Sequence, residues 1–204
     1  MCFSYHRHMA TTARPGPGRR ERKKAATRKA LSEAALALFL ERGYDKVTVA
    51  EIAEAADTAI ATLFAHFPAG KEALILDDSG EREASLTAAV RGRPEGSSVL
   101  DALHAFFASR APFREDLPEE YRRRMDLVMT TPALWAYART VWIDCHGTLA
   151  ALLAEAAGLD EPDDSLHALA RYVLETPDLA AARPDRATAL AEAFRHLKRG
   201  WPHL

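Results

Sequence analysis

Residues 48–67 read TVAEIAEAADTAIATLFAHF, two short helix-period segments on either side of Asp57-Thr58. Thr48 and Glu51 stand at the spacing of a capping box, with Thr48 placed to accept from the backbone N–H of Glu51 and the Glu51 carboxylate to reach back to that of Thr48. Val47 and Ile52 occupy the two positions of a hydrophobic staple around that start. The first segment therefore reads as a helix from Thr48 to about Ala56. The second runs from about Ala59 to His66, and Phe67-Pro68 stops it, because the residue before a proline is pushed out of helical geometry. Upstream, Leu31, Ala34, Ala35, Leu38 and Phe39 make one apolar stripe on a helix from about Glu21 to Arg42, ended by Gly43. Downstream, Lys71 opens a long fourth helix to about Arg91. A longer helix followed by two short ones joined by a tight turn predicts a helix-turn-helix with a core of Leu38, Phe39, Val49, Ile52, Ala53, Leu63 and Phe67. The outward face of the third helix is then Ala59, Ile60, Ala61, Thr62, Ala65 and His66. Small residues let a backbone enter the major groove, where Ile60 or an alanine meets a thymine methyl. The same pattern would also suit an ordinary packed helix. The exposed Ile60 and the strong cap favour the DNA reading.

Charge supports that reading. The chain has 204 residues and a net charge of −2, which by itself conceals a nucleic-acid partner. Residues 1–30 nevertheless carry nine basic residues against one acid, residues 1–71 carry twelve against seven, and residues 72–204 carry fifteen against twenty-two. A basic end on an acidic body is the layout of a DNA-contacting module joined to something else. Residues 1–20, which include Arg14-Pro-Gly-Pro-Gly18, read as a disordered basic arm. Arg19, Arg20, Arg22, Lys23 and Lys24 are its candidate phosphate or minor-groove contacts. Met9 is an alternative start to Met1.

The body, residues 72–204, reads as helix after helix, with no sustained period-2 alternation. Helices are expected at about 97–111, 118–130 and 133–157, followed by two more, for an all-α chain of about nine helices. His104, Phe107, Met125, Met129, Trp135 and Trp142 are the candidates to line a pocket for an apolar or aromatic small molecule, with plain core packing as the alternative. Leu166, Leu169 and Val173, then Leu190, Phe194 and Leu197, form two stripes at bundle spacing and are the candidate dimer surface, unless they pack inward on their own chain. Pro177 predicts a kink or break in the first of those helices.

The run from Ala30 to Ile75 resembles the DNA-binding domain of the tetracycline-repressor (TetR) family. The matching elements, in order, are Phe39 with Gly43-Tyr44, Thr48-Val49 with Ile52-Ala53, Thr62-Leu63-Phe64, His66-Phe67-Pro68 and Lys71-Glu72-Ala73-Leu74, about a quarter of the chain. The resemblance implies a homodimeric transcription factor, in most cases a repressor relieved by a small ligand, with its last two helices forming a four-helix bundle with their symmetry mates. It implies phosphate contacts from Thr48 and Lys71, and a recognition helix spanning Thr58 to Thr62 with Ala65 and His66. Three residues depart from the family pattern. Asp57 replaces the usual glycine, Phe64 replaces the usual tyrosine and its phosphate-bonding hydroxyl, and Gly70 is a one-residue insertion that affects the aim of Lys71.

Other classes find no support. The longest apolar run, Ala34–Leu40, is seven residues, far short of a membrane span of ~20. No hydrophobic signal core precedes it, so a cytoplasmic location is expected. Cys2 and Cys145 make no disulfide framework, no metal or cofactor site is expected, and His104, Cys145 and His146 lack a workable ligand geometry. There is no G-x-S-x-G, P-loop or H-E-x-x-H, so an enzyme is not expected. The chain reads as a sequence-specific, double-stranded-DNA-binding regulator divided into 1–20 (arm), 21–71 (helix-turn-helix domain) and 72–204 (ligand and dimer domain). It is expected to be a repressor released from a palindromic operator by a small molecule. The alternatives are a ligand-independent architectural DNA-binding protein or an activator.

Overall fold

The computed structural model describes residues 18–76, 80–114 and 116–204. Among them the regular structure is entirely helical: α1 (Arg19–Arg42), α2 (Val49–Ala55), α3 (Ile60–His66), α4 (Ala73–Leu76), α5 (Glu81–Arg91), α6 (Val99–Ala108), α7 (Glu119–Thr130), α8 (Pro132–Ile143), α9 (His146–Ala157), α10 (Asp164–Ala181) and α11 (Arg186–Gly200), with a 3-10 turn at Tyr44–Lys46. Paired as two interrupted helices, α4 with α5 and α8 with α9 bring the eleven segments to the nine anticipated.

The side chains gather into two cores. The first holds Leu31, Ala35 and Phe39 of α1, Tyr44 and Val47, Ile52 and Ala53 of α2, Leu63 of α3, Phe67, and all four residues of α4. The second holds Leu86 and Val90 of α5, the apolar faces of α6 and α9, and the inner faces of α10 and α11. The helices α7 and α8 bridge the two. Val128 and Leu134 are buried in the first core with Met125 and Trp135 packed on them, whereas Trp142, near the far end of α8, packs on the second. The first core thus runs past the expected boundary at residue 71 and takes part of its wall from the body.

Several expectations need correction. The fourth helix is not one rigid rod. Gly80 sits at φ 90°, ψ 4° as the N-cap of α5, a left-handed conformation that a side chain disfavours, so α5 begins anew there. The helix expected at 133–157 is likewise divided at Asp144-Cys145. The α10 helix runs without a break through Pro177. The proline removes one donor from that helix, and neighbouring Thr176 turns its hydroxyl onto the Tyr172 carbonyl at 2.7 Å. The stretch treated as the end of a flexible arm starts α1: Arg19, Arg20, Arg22, Lys23 and Lys24 all lie within its first six residues. Residues 1–17, with Met1 and Met9, fall outside the described residues.

Candidate nucleic-acid interface and ligand cavity

The second helix starts as its sequence dictates. Thr48 Oγ1 accepts from the Glu51 N–H at 3.3 Å, and Glu51 Oε2 accepts from the Thr48 N–H at 2.8 Å. The Thr48 N–H, with the Thr48 hydroxyl donating to the same oxygen at 2.8 Å, holds the Glu51 carboxyl below its ordinary range, helped by Arg42, 3.0 Å away. The helix ends in a Schellman arrangement, with the Asp57 N–H donating to Glu54 O at 3.0 Å and the Thr58 N–H to Ala53 O at 2.9 Å. Asp57 takes the left-handed position, φ 49°, that glycine usually fills, and aspartate tolerates that region better than most residues. The turn between α2 and α3 therefore closes without its glycine.

This turn sets how α3 presents itself. Leu63 is fully buried and anchors the helix, while Ala59, Ile60, Ala61, Phe64 and Ala65 face outward and Thr58, Thr62 and His66 are half-buried. Ile60 is 46% exposed and Phe64 45%. One turn apart, they make a continuous apolar ridge on an otherwise small-residue surface. Phe64, expected from sequence only to lack the usual tyrosine's hydroxyl, was not among the residues expected on the outward face. Its signal was present, since Leu63 and Phe67 claim the buried face and leave position 64 outside.

The C-terminal end of α3 is tied to α1. Arg28 donates from Nη1 to the His66 carbonyl, and its guanidinium lies 4.3 Å from the Phe67 ring centroid. Burial, then the charges of Arg28 and Lys24, push the His66 imidazole below its ordinary value of 6.5, and its Nδ1 is buried with no hydrogen-bond partner among the described residues. His66 is therefore neutral at pH 7 and brings no positive charge to the face. That charge comes from the exposed Arg19–Lys24 segment of α1, of which Lys24 is close enough to act on His66.

Lys71 points inward. Its Nζ donates to the carbonyls of Tyr44 at 2.6 Å and Val47 at 2.8 Å, and lies 3.9 Å from the Tyr44 ring centroid. Gly70, at φ 90°, makes the turn that aims it there. Glu72 beside it accepts from the Tyr44 hydroxyl at 2.5 Å; burial, then that bond, push the phenol's pKa upward. Lys71 thus fastens the strap before α2 to the start of α4. Lys71→Met is expected to destabilise the fold by about 1–3 kcal/mol by leaving two carbonyls short of a donor. A urea titration checks this, and an unchanged midpoint would contradict the inward role.

A cavity of about 340 Å³ lies between the two cores. Phe107, Met125, Met129, Trp135 and Trp142, five of the six pocket candidates, line it. His104 does not. It faces α11, with its ring 5.4 Å from that of Phe194. Trp142 packs edge-on against Phe107 at 5.4 Å. Leu76, Met125, Val128 and Trp135 belong both to the cavity wall and to the first core or its packed shell. The candidate dimer residues also move inward: Leu166, Leu169, Val173, Leu190 and Phe194 are buried within their own chain, and Leu197 packs on the same core. Side chains that already fill one core have no area left for a partner. The exposed apolar residues of α10 are instead Tyr172, at 51%, and Leu179, at 68%.

Residues 31–77 match the family described as bacterial regulatory proteins, tetR family, and residues 97–202 match the MftR C-terminal domain. The chain belongs to the TetR family. It is a DNA-binding transcriptional regulator of that family, with α2 and α3 as its helix-turn-helix. The transcriptional regulator TcmR of Streptomyces glaucescens is 37% identical over 155 residues, 73% of this TetR-family chain and 68% of TcmR. The regulator MftR of Mycobacterium tuberculosis is 30% identical over 144 residues, 71% of this chain and 72% of MftR. Among solved structures, Thermus thermophilus FadR, a TetR-family repressor in complex with lauroyl-CoA, is 26% identical with a TM-score of 0.56, covering 85% of this chain and 94% of FadR. GusR of Salmonella enterica shares the fold at a TM-score of 0.53 and 22% identity, covering 85% of this chain and 94% of GusR. TcmR, MftR and FadR are all transcriptional regulators. No described helix of the chain is long and apolar enough to cross a membrane.

Proposed function

We propose that this regulator is a repressor that binds a near-palindromic operator as a homodimer and is released when a small, largely apolar molecule enters the cavity between its cores. The observation that carries this reading is the shared wall. Leu76, Met125, Val128 and Trp135 face the cavity and also brace the helix-turn-helix core. A molecule that repacks those side chains changes the seat of α4 and, through the common core, the pose of α3. Structural similarity to FadR, solved with lauroyl-CoA, supports a ligand-holding body. Half-sites one turn apart lie about 34 Å from each other, so a shift of a few ångströms in one recognition helix spoils simultaneous docking.

In this reading Ile60, with Thr58, Ala59, Ala61, Thr62 and Ala65 around it and Phe64 beside it, meets base edges. Thr48, His66 and the α1 segment Arg19, Arg20, Arg22, Lys23 and Lys24 meet the backbone, and Lys71 holds the strap that presents them. Tyr172 and Leu179, one heptad apart on α10, face the partner protomer. Ile60→Ala is expected to lower affinity for the best site by about 1 kcal/mol and to relax preference at one or two base pairs. Selection from a randomised duplex pool checks this, and an unchanged preference would remove Ile60 from the reading head.

The deciding experiment titrates candidate ligands with and without a duplex from the region upstream of the protein's own gene. Linkage requires DNA to weaken the ligand by the same factor as the ligand weakens DNA, typically 1–3 kcal/mol. Equal ligand affinity in both states would end the release mechanism, and a one-protomer complex on DNA would end the dimer.

A further inference from the structure

Beside its aromatic and aliphatic lining the cavity has three carboxylates, Glu81, Glu175 and Asp178, and four arginines, Arg82, Arg110, Arg124 and Arg139. Arg139 is paired with Asp178 at 2.7 Å. Arg110 lies 4.2 Å from the Phe106 ring centroid and 5.8 Å from that of Trp142, and Arg82 is 5.6 Å from the Trp142 centroid, so two guanidiniums attend one indole. Arg124 of α7 and Arg82 of α5 also do something else. Arg124 Nη2 donates to the Ile75 carbonyl and Arg82 Nη2 to the Leu76 carbonyl, both in α4. Both donors come from the body and stand in the cavity wall, while the side chains of Ala73, Leu74, Ile75 and Leu76 are buried in the helix-turn-helix core.

We propose that Arg124, with Arg82 beside it, is a ligand-operated latch: it holds α4 by the Ile75 carbonyl in the DNA-binding state and turns to the anionic group of an organic acid seated on the aromatic floor of the cavity. The inference rests on the release reading above and adds to it the effector's chemical class and the bond that is exchanged. A carboxylate or sulfonate is a stronger acceptor for guanidinium than a neutral carbonyl, because it adds an opposite charge and can take two N–H groups of the fork side by side. The aromatic and sulfur-bearing side chains of the cavity take the apolar body, and a volume of about 340 Å³ fits a two- or three-ring molecule. Neutral ligands of the same shape occupy the floor without drawing the latch.

The test uses a matched pair of dyes, 8-anilino-1-naphthalenesulfonate and its uncharged parent N-phenyl-1-naphthylamine, on the full-length protein. The sulfonate is expected to saturate at one dye per chain, to bind at least ~10-fold tighter than the parent, and to weaken binding to the upstream duplex at least ~10-fold. In Arg124→Gln the preference for the sulfonate is expected to fall to within ~3-fold. That variant should hold DNA several-fold more weakly before any dye is added and respond little to the sulfonate afterwards. Equal affinity of the two dyes for the unaltered protein would overturn the latch, as would binding of neither, or a ~10-fold anion preference that survives in Arg124→Gln. The comparison on the unaltered protein stands whether or not the variant folds. If both dyes release DNA equally, the release reading holds and the latch alone falls. If both bind and neither changes DNA affinity, the release reading falls with it.

Discussion

Phe67→Ala is expected to abolish operator binding while leaving the body folded. Phe67 is 1% exposed, and truncating a buried phenylalanine costs about 3–5 kcal/mol through lost transfer energy and the cavity left behind. It is also the C-cap of α3, its N–H donating to Leu63 O at 2.8 Å, and the surface on which Arg28 lies while bonding the His66 carbonyl. Removing the ring therefore loosens the recognition helix at its buried end and at its tie to α1 together. The second core contains no residue of that cluster, so denaturation should separate into two steps, the earlier one belonging to the helix-turn-helix core. Urea titration followed by circular dichroism, with gel shifts on the upstream duplex, measures both. Retention of DNA binding within about twofold, or a single transition at the original midpoint, would show that Phe67 does not seat α3.

Tyr172→Glu combined with Leu179→Glu is expected to yield monomers that bind operator on the order of 100-fold more weakly. Both side chains are among the most exposed large apolar groups of the described residues, and they lie on one face of α10. In a two-fold interface each substitution counts twice, so the double variant sets four carboxylates against an apolar seam. Uncompensated buried charge is worth about 3–5 kcal/mol, more than the roughly 2.7 kcal/mol that a 100-fold change requires. Sedimentation at micromolar concentration reads the assembly directly. Because both residues are exposed in the protomer, its own stability should change little. An intact dimer would relocate the interface. A parallel substitution at Leu169 would not serve, since Leu169 is fully buried in its own chain and the variant would unfold.

The contrast between Leu169 and Leu179 shows where sequence was sufficient and where it was not. Periodicity places Leu166, Leu169 and Val173 on one stripe of α10, but a stripe has no label for the partner it meets. Within one chain α6, α9 and α11 supply enough apolar area to cover it, which leaves Tyr172 and Leu179 as the exposed large apolar side chains of α10. The break at Gly80 was equally hidden. A glycine inside a helical pattern lowers helix stability without dictating a stop, and only its left-handed conformation in the fold decides the matter. Lys71 was misread for a related reason. The family resemblance implies a phosphate for it, yet the turn at Gly70 brings its ammonium to the carbonyls of Tyr44 and Val47.

The features legible in the sequence lie close together along the chain. Thr48 and Glu51 set the start of α2, Asp57 its end, Leu63 the buried side of α3 and Phe67-Pro68 its stop, each acting within about five residues, so their geometry follows from local hydrogen bonding and period. The all-α class and the family followed from that run. The folded chain alone decided what depends on residues far apart: that Met125 and Trp135 wall a cavity and brace the DNA-binding core at once, and that Arg124 reaches α4 across 49 positions. Side chains so far separated meet only when packing of the whole chain fixes which helix lies against which, and amphipathic periodicity carries the facing of each helix but not the identity of its neighbour.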